Sequence, residues 1–246
     1  MTQITSQHNQ KLKEIRKLRQ RKRWRDRSGL FVAEGEDLLS VADGQGWIAI
    51  ERYAAAGSGL PGVPVEADLL ASVSGLASGT RTLAVYEERW APAPVGPLCV
   101  YLHGVHDPGN VGAILRSAQA FGASCVALGP GAADPYSPKA VRASMGAIFS
   151  VPLARADPDS LPGAKIALVP GAGQPLDGRW RSGHVYVHEI AIGATILVGS
   201  ERDGLPDEVV AQADHVAHIP IATDSLNAAM ATTVALYELS RRMAPE

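Results

Sequence analysis

The chain has little cysteine, no long apolar run and none of the common nucleotide-loop fingerprints. Its two cysteines, Cys99 and Cys125, are too few for a disulfide framework. Both fall in strand-like apolar stretches, so they read as buried thiols of a cytoplasmic protein kept in a reducing compartment. No uninterrupted apolar run reaches ~18 residues, which excludes a membrane-spanning helix. The first stretch, MTQITSQHNQKLKEIRKLRQ, lacks the apolar core of a signal peptide. The stretch DPGNVGAILRSAQAFGA, 107–123, has glycines ahead of a helix-like run, as phosphate loops do. No Gly-Lys-Ser/Thr follows, and Gly109 and Gly112 have no third glycine at dinucleotide-fold spacing, so it is neither of the two common loops. His103 and His106 lie nearby without carboxylates or cysteines at metal-ligand spacing, so no metal is expected.

What is present is an ordinary globular composition with an uneven charge. Hydrophobic residues make up 46% and charged residues 20% of the 246-residue chain, which is long enough for a sizeable core and one or two domains. Residues 1–27 hold ten Lys or Arg against Glu14 and Asp26, a net of +8, leaving −10 for the other 219 residues. So dense a basic end points to a polyanion, nucleic acid first; a solvated surface helix is the plainer reading.

The basic stretch NQKLKEIRKLRQRKRWRDRSG reads as one helix with a narrow apolar stripe of Leu12, Ile15 and Leu18, stopping at Gly29. LFVAEGEDLLSVADGQGW reads as a strand, a turn at Glu34-Gly35 and a helix, and strands and helices alternate up to residue 88. RWAPAPVGP, 89–97, has three prolines in nine residues and is the expected linker. This predicts domains over 1–90 and 97–246. In the second, apolar runs at 98–105, 124–129, 165–169, 196–199 and 215–221 read as strands buried on both faces. Helices are predicted at 111–121, 137–147, 206–213 and 225–243, with Ser225 as the N-cap of the last. Strands alternating with helices imply a mostly parallel α/β sheet, with ligands at the strands' carboxyl ends.

Three loops at those ends carry the chemistry: 107–112, GSERDGLP at 199–206 and IPIATDSLNAAM at 219–230. Glycines 109, 112, 199 and 204 are expected to let backbone approach a ligand. Together the loops resemble the SpoU (TrmH) family of RNA ribose methyltransferases, in the SPOUT superfamily. Asn110, Gly112 and Arg116 match its first motif; Gly199, Ser200, Glu201, Gly204 and Leu205 match its second; Ile219, Pro220, Ser225, Leu226 and Asn227 match its third. The stretch DPYSPKAVRASMGAIFSVP is similar to that of members acting on ribosomal RNA, and the N-terminal part, with Asn9, Lys11 and FVAEGEDLL, to the family's substrate-binding domain.

The resemblance implies a catalytic domain with a C-terminal trefoil knot, preceded by a small α/β domain like a ribosomal protein. It implies S-adenosylmethionine as cofactor, RNA as substrate with ribosomal RNA ahead of transfer RNA, and a homodimer. Asn110, Arg116, Glu201, Ser225 and Asn227 match catalytic positions. Gly129, Gly199, Gly204, Ile219 and Leu226 are expected to line the cofactor site. Arg116 suits electrostatic work on a phosphate and a developing alkoxide, because a guanidinium does not lose its proton in proteins. Glu201 is expected to pair with an arginine or to hold its loop. The chain departs from the family at Arg202, where glycine is common, and in the short connection IATD, 221–224. A non-catalytic RNA-binding protein on the same fold is the rival reading. A Rossmann-like enzyme of small molecules is disfavoured by the missing fingerprint and the basic N-terminus.

Overall fold

The structure is a computed structural model that describes residues 2–75, 79–176 and 193–243. It has two compact units: Met1–Glu88 with Asp134–Phe149, and Arg89–Ala133 with Ser150–Glu246. The stretch Asp134–Phe149, expected within the 97–246 segment, groups with the first unit.

In the first unit the basic stretch forms two helices, not one. Gln10–Gln20 is capped by Asn9, whose side chain accepts from Lys11 N at 2.9 Å. Arg21 leaves helical geometry at φ −127°, and the chain resumes as Lys22–Ser28 before Gly29 ends it with left-handed backbone at φ 65°. Strands β1 (Leu30–Glu34), β2 (Glu51–Ala55), β3 (Val63–Val65) and β4 (Thr82–Glu87) form a mixed sheet in the order β1-β4-β2-β3. β1 and β4 pair antiparallel, with Phe31 opposite Tyr86 and Val32 opposite Val85. Side chains alternate across a strand, so each of these pairs serves a different face. Val32 and Val85 pack in one core with Leu12, Ile15 and Leu18. Phe31 and Tyr86 join Trp47, Tyr136 and Phe149 in an aromatic cluster with centroids 4.7–6.2 Å apart.

Tyr136 and Phe149 come from the returning segment, whose Asp134 and Arg142 also reach buried charged partners, Arg25 and Glu34. Arg25 and Asp134 meet at 2.7 Å with side-chain exposures of 5% and 10%. Glu34 accepts from Ser74 Oγ and Gly75 N, both at 3.0 Å, and lies 3.4 Å from Arg142 and 3.6 Å from Arg19. The helix expected over 137–147 is confined to Pro138–Ala143, because Met145 (φ 50°) and Gly146 (φ 97°) take backbone a helix excludes.

Among the described residues the second unit holds a seven-stranded, wholly parallel sheet. Its strands are β5 (Leu98–Leu102), β6 (Cys125–Leu128), β7 (Leu153–Arg155), β8 (Ala164–Leu168), β9 (Gln174–Pro175), β10 (Ala194–Val198) and β11 (His215–His218). The mostly parallel α/β class read from the sequence is thus present. The order β7-β6-β5-β10-β8-β11-β9 shows the chain running outward from β5 to β7, then returning to the other side, where β10 fills the place between β5 and β8. Such a reversal leaves a crevice at the strands' carboxyl ends. Helix Pro108–Ala120 packs against the last helix, Ala228–Met243, with Ser117 and Thr233 hydroxyls 2.6 Å apart.

The proline-rich segment is pinned to the sheet edge: Ala91 N donates to Leu153 O at 2.7 Å, and the Arg155 guanidinium sits 4.3 Å over the Trp90 ring. Cys99 and Cys125 are free, buried and opposite each other on β5 and β6. Burial, and secondarily Cys125, pushes the Cys99 thiol up to about 12, so it stays protonated. Among the described residues no helix is long and apolar enough to cross a membrane.

Candidate active site

The stretch 107–112, which resembles a phosphate loop in sequence, is the capped start of a helix. Asp107 is the N-cap, its carboxylate accepting from Gly109 N at 2.5 Å and Asn110 N at 3.3 Å, and Pro108 occupies the first helical position. Proline suits that position because its missing N–H would have no partner there. Gly109 and Gly112 are therefore helical, and Gly112 is buried within the helix. The first turn carries Asn110 just beyond the end of β5.

The second loop follows β10, the neighbour of β5. Ser200 N donates to Gly204 O at 3.0 Å and Gly204 N to Ser200 O at 3.1 Å, closing a tight turn. Ser200 Oγ accepts from Asp203 N at 2.9 Å, and Gly204 turns the chain at φ 67°. Glu201 lies inside this turn. A Cβ on Gly199 would collide with the Gly204 carbonyl and Leu205 N. The closure of the loop on itself is enough to require glycine at 199.

The third loop delivers Asn227. The last helix starts at Ala228 and its cap is Asn227, not Ser225: Asn227 Oδ1 accepts from Ala229 N at 2.9 Å and Met230 N at 3.3 Å. The same side chain uses its nitrogen elsewhere, with Nδ2 3.1 Å from both Asn110 Oδ1 and Glu201 Oε1. Asn110 Nδ2 also donates to Glu201 Oε1. One residue from each motif thus meets in a closed triangle. Of the two roles expected for Glu201, pairing with an arginine or holding its loop, no arginine pair is present among the described residues; its partners are two asparagine amides.

Beside the triangle lies a cavity of about 400 Å³, within the usual ~300–1,000 Å³ of small-molecule sites. It opens at the carboxyl ends of β8, β10 and β11. Its apolar walls include Leu168, Val198, Leu205, Ile219 and Leu226, and its polar lining includes Glu201, Arg202 and Asp203. Gly199, Gly204, Ile219, Ser225 and Leu226 all line it as well. Arg116 is exposed, without an ion pair or side-chain hydrogen bond among the described residues, and does not line the cavity. Gly129 does not line it either; a Cβ there would strike the Tyr101 hydroxyl, which accounts for the glycine. Sequence reasoning missed Asp107 as the cap and the stretch Leu168–Pro170 as cavity wall. Asp-Pro before a helical run signals the former, and Val-Pro-Gly closing a parallel strand signals the latter. Among the described residues no group of three or more His, Cys, Asp or Glu is gathered to hold a metal.

A parallel α/β sheet with a small-molecule cavity at the carboxyl ends of β8, β10 and β11, beside a triangle of polar side chains from three loops, defines an enzyme of the cofactor-binding α/β class. Residues 97–237 match the SpoU rRNA Methylase family and residues 9–87 the MRM3-like substrate binding domain; the chain belongs to the SpoU family, the S-adenosylmethionine-dependent RNA 2′-O-ribose methyltransferases. An uncharacterized tRNA/rRNA methyltransferase of Synechocystis is 31% identical over 97% of this chain and 93% of its own. The 23S rRNA (guanosine(2553)-2′-O)-methyltransferase RlmP of Bacillus subtilis is 27% identical, over 97% of this chain and 99% of its own. Among solved structures, the AdoMet-bound rRNA methyltransferase of Sinorhizobium meliloti matches with a TM-score of 0.83 at 30% identity, covering 99% of both chains. The SpoU methyltransferase AviRb of Streptomyces viridochromogenes, in complex with AdoMet, matches with a TM-score of 0.80 at 26% identity, over 96% of this chain and 98% of its own.

Proposed function

We propose that the protein methylates a ribose 2′-hydroxyl of ribosomal RNA in the cytoplasm, as a homodimer. The observation that carries this is the triangle of Asn110, Glu201 and Asn227 beside the cavity. The residues fit S-adenosylmethionine: apolar walls at Leu168, Val198, Ile219 and Leu226 suit an adenine ring, and the polar lining at Arg202 and Asp203 suits its charged end. When bound, that cofactor supplies an electrophilic methyl group. The protein's part is to place a hydroxyl in line with it, and positioning of this kind accounts for much of an enzyme's rate. Asn110, rigid in its helix turn, orients the hydroxyl. Arg116, exposed and unpaired, is available for the neighbouring phosphate and the developing alkoxide. Gly129 is assigned no cofactor contact.

Residues 1–90 are assigned to RNA binding and 97–246 to the cofactor and the chemistry. Of the ten basic residues in 1–27, Lys13, Arg21, Arg23 and Arg27 are exposed and without ion pairs among the described residues, and they are the RNA-facing charges in this reading. The second copy is assigned to the outer face of the last helix, where Met230, Val234 and Tyr237 are 62%, 36% and 45% exposed at spacings of four and three, while Ala235, Leu236 and Leu239 are buried on its inner side. The knot implied by the resemblance belongs to the same proposal. Isotope-labelled cofactor with total RNA is the test: label should enter ribosomal RNA and survive alkali as a dinucleotide, since a methylated 2′-oxygen cannot cleave its own phosphodiester. Label confined to transfer RNA or to bases, or none at all, overturns the assignment. A monomer by light scattering at full activity overturns the dimer.

A further inference from the structure

We propose that Glu201 takes the proton from the ribose 2′-hydroxyl through its Oε2 oxygen; this rests on the reading of the protein as a 2′-O-methyltransferase. The geometry that points to it begins at the last helix. Ala229 and Met230 present backbone N–H groups, which only donate, so the Asn227 atom facing them is the amide oxygen. The amide nitrogen then faces Asn110 Oδ1 and Glu201 Oε1. Because Asn110 Oδ1 is accepting, its own nitrogen is left to donate, and it donates to Glu201 Oε1. Backbone N–H groups thus fix the direction of every hydrogen bond in the triangle, and both amides end as donors on one carboxylate oxygen.

Oε2 accepts no hydrogen bond among the described residues. An ionised carboxylate only accepts, so whatever binds at Oε2 must bring a hydrogen, and a hydroxyl does. Other candidates on the page fit less well. Asp203 is bonded to Ser200 and touches neither asparagine. Arg116 and Arg202 cannot accept a proton. His218 ends β11, three strands from β5, about 14 Å from the strand that leads to Asn110 at ~4.8 Å per strand.

The step balances within these groups. The ribose oxygen forms its bond to the methyl carbon while the carbon–sulfur bond breaks. The electron pair of that bond stays on sulfur, which passes from sulfonium to neutral thioether. The hydroxyl proton passes to Glu201 Oε2, so one negative and one positive charge disappear together. Glu201 is exposed, so solvent can remove the proton after release.

The test is Glu201→Gln, whose Oε1 still accepts from both asparagines while an amide NH₂ replaces the acceptor. Single-turnover methylation with saturating cofactor should fall about 10²–10⁴-fold, the range of general-base loss. Cofactor affinity by calorimetry and the thermal unfolding midpoint should stay at wild-type values. Glu201→Ala should be as slow, and added formate, a carboxylate small enough for the vacated space, should restore part of its rate. A wild-type rate in Glu201→Gln, loss of cofactor affinity in that variant, or an alanine variant that formate does not rescue each overturns the proposal. Wild-type protein runs alongside: if it puts no label into RNA, the functional reading itself fails, whereas an active wild type with an equally active glutamine variant removes only the role of Glu201.

Discussion

The two units treat buried or clustered polar groups in opposite ways. In the first, they form closed sets. Arg25 gives Nε and Nη2 to Asp134 Oδ2 at 2.8 and 2.7 Å and Nη1 to Leu18 O at 2.6 Å, while Asp134 Oδ1 accepts from Tyr136 N at 2.8 Å. Glu34 is likewise enclosed by Ser74, Gly75, Arg19 and Arg142. In the second unit the Asn110–Glu201–Asn227 triangle is left open at one oxygen, and Arg116 and Arg202 are exposed without ion pairs among the described residues. A set of polar groups whose hydrogen-bonding capacity is used up holds a fold together; a set with capacity to spare is poised for a ligand.

Breaking a closed set should have the largest effect, and on stability. Arg25→Ala leaves Asp134 without its guanidinium partner, a loss that for buried pairs costs about 3–5 kcal/mol. Urea unfolding should show that loss; a variant of wild-type stability would mean that Asp134 finds water and the set is not closed. Arg116→Ala should do the reverse. Its single-turnover rate should drop about 10²–10³-fold, as when one preorganised charge is removed, with an unchanged unfolding midpoint and cofactor affinity. Loss of cofactor binding at a near-normal rate would make Arg116 a cofactor residue.

Gly199→Val tests where the second unit becomes intolerant of change. Its side chain meets the Gly204–Leu205 backbone, so the loop must open, at about 1–3 kcal/mol for forced overpacking. Cofactor affinity should fall together with stability. Weakened binding at full stability would restore the simpler idea that the ligand itself needs the space. The smallest effect on stability, and the clearest on salt dependence, belongs to Lys13, Arg21, Arg23 and Arg27 changed together to Gln. If all four touch phosphates, the slope of log affinity against log salt should flatten by roughly 3, at ~0.7–0.9 per contact. Arg19 is left out of this set because it is partly buried against Glu34, where burial lowers the affinity of its guanidinium for a proton. An unchanged slope would move the RNA surface elsewhere.

The parallel sheet was legible because its central strands are fully buried and therefore apolar throughout: β5, β6 and β10 have no exposed position. β7 and β9 were not, since three and two residues leave no periodicity to read. The break at Arg21 was hidden because arginine is a good helix former and nothing local marks the turn. Ser225 and Asn227 are equally good capping residues, so propensity could not choose between them; the choice is made by Asn227 reaching Asn110 and Glu201 at the same time. The residues of the triangle were legible as motif positions. Their mutual contact was not, because it depends on β10 lying beside β5 although 91 residues separate Asn110 from Glu201. The return of Asp134–Phe149 to the first unit escaped for the same reason: Asp134, Tyr136 and Arg142 are complementary to Arg25, Phe31 and Glu34 only in space.

That returning segment also sets a clock on synthesis. Phe31, Trp47 and Tyr86 are made before the chain reaches Glu88, but the aromatic cluster is complete only when Phe149 has been added, 61 residues later. At ~5–20 residues per second the delay is roughly 3–12 s. Arg25 waits for Asp134 through most of that interval, and the aromatic face of β1 and β4 stays open to water or to a chaperone until its end. A ribosome stalled between residues 88 and 134 would therefore carry an unfinished first unit, although every residue of its own N-terminal sequence had already been made.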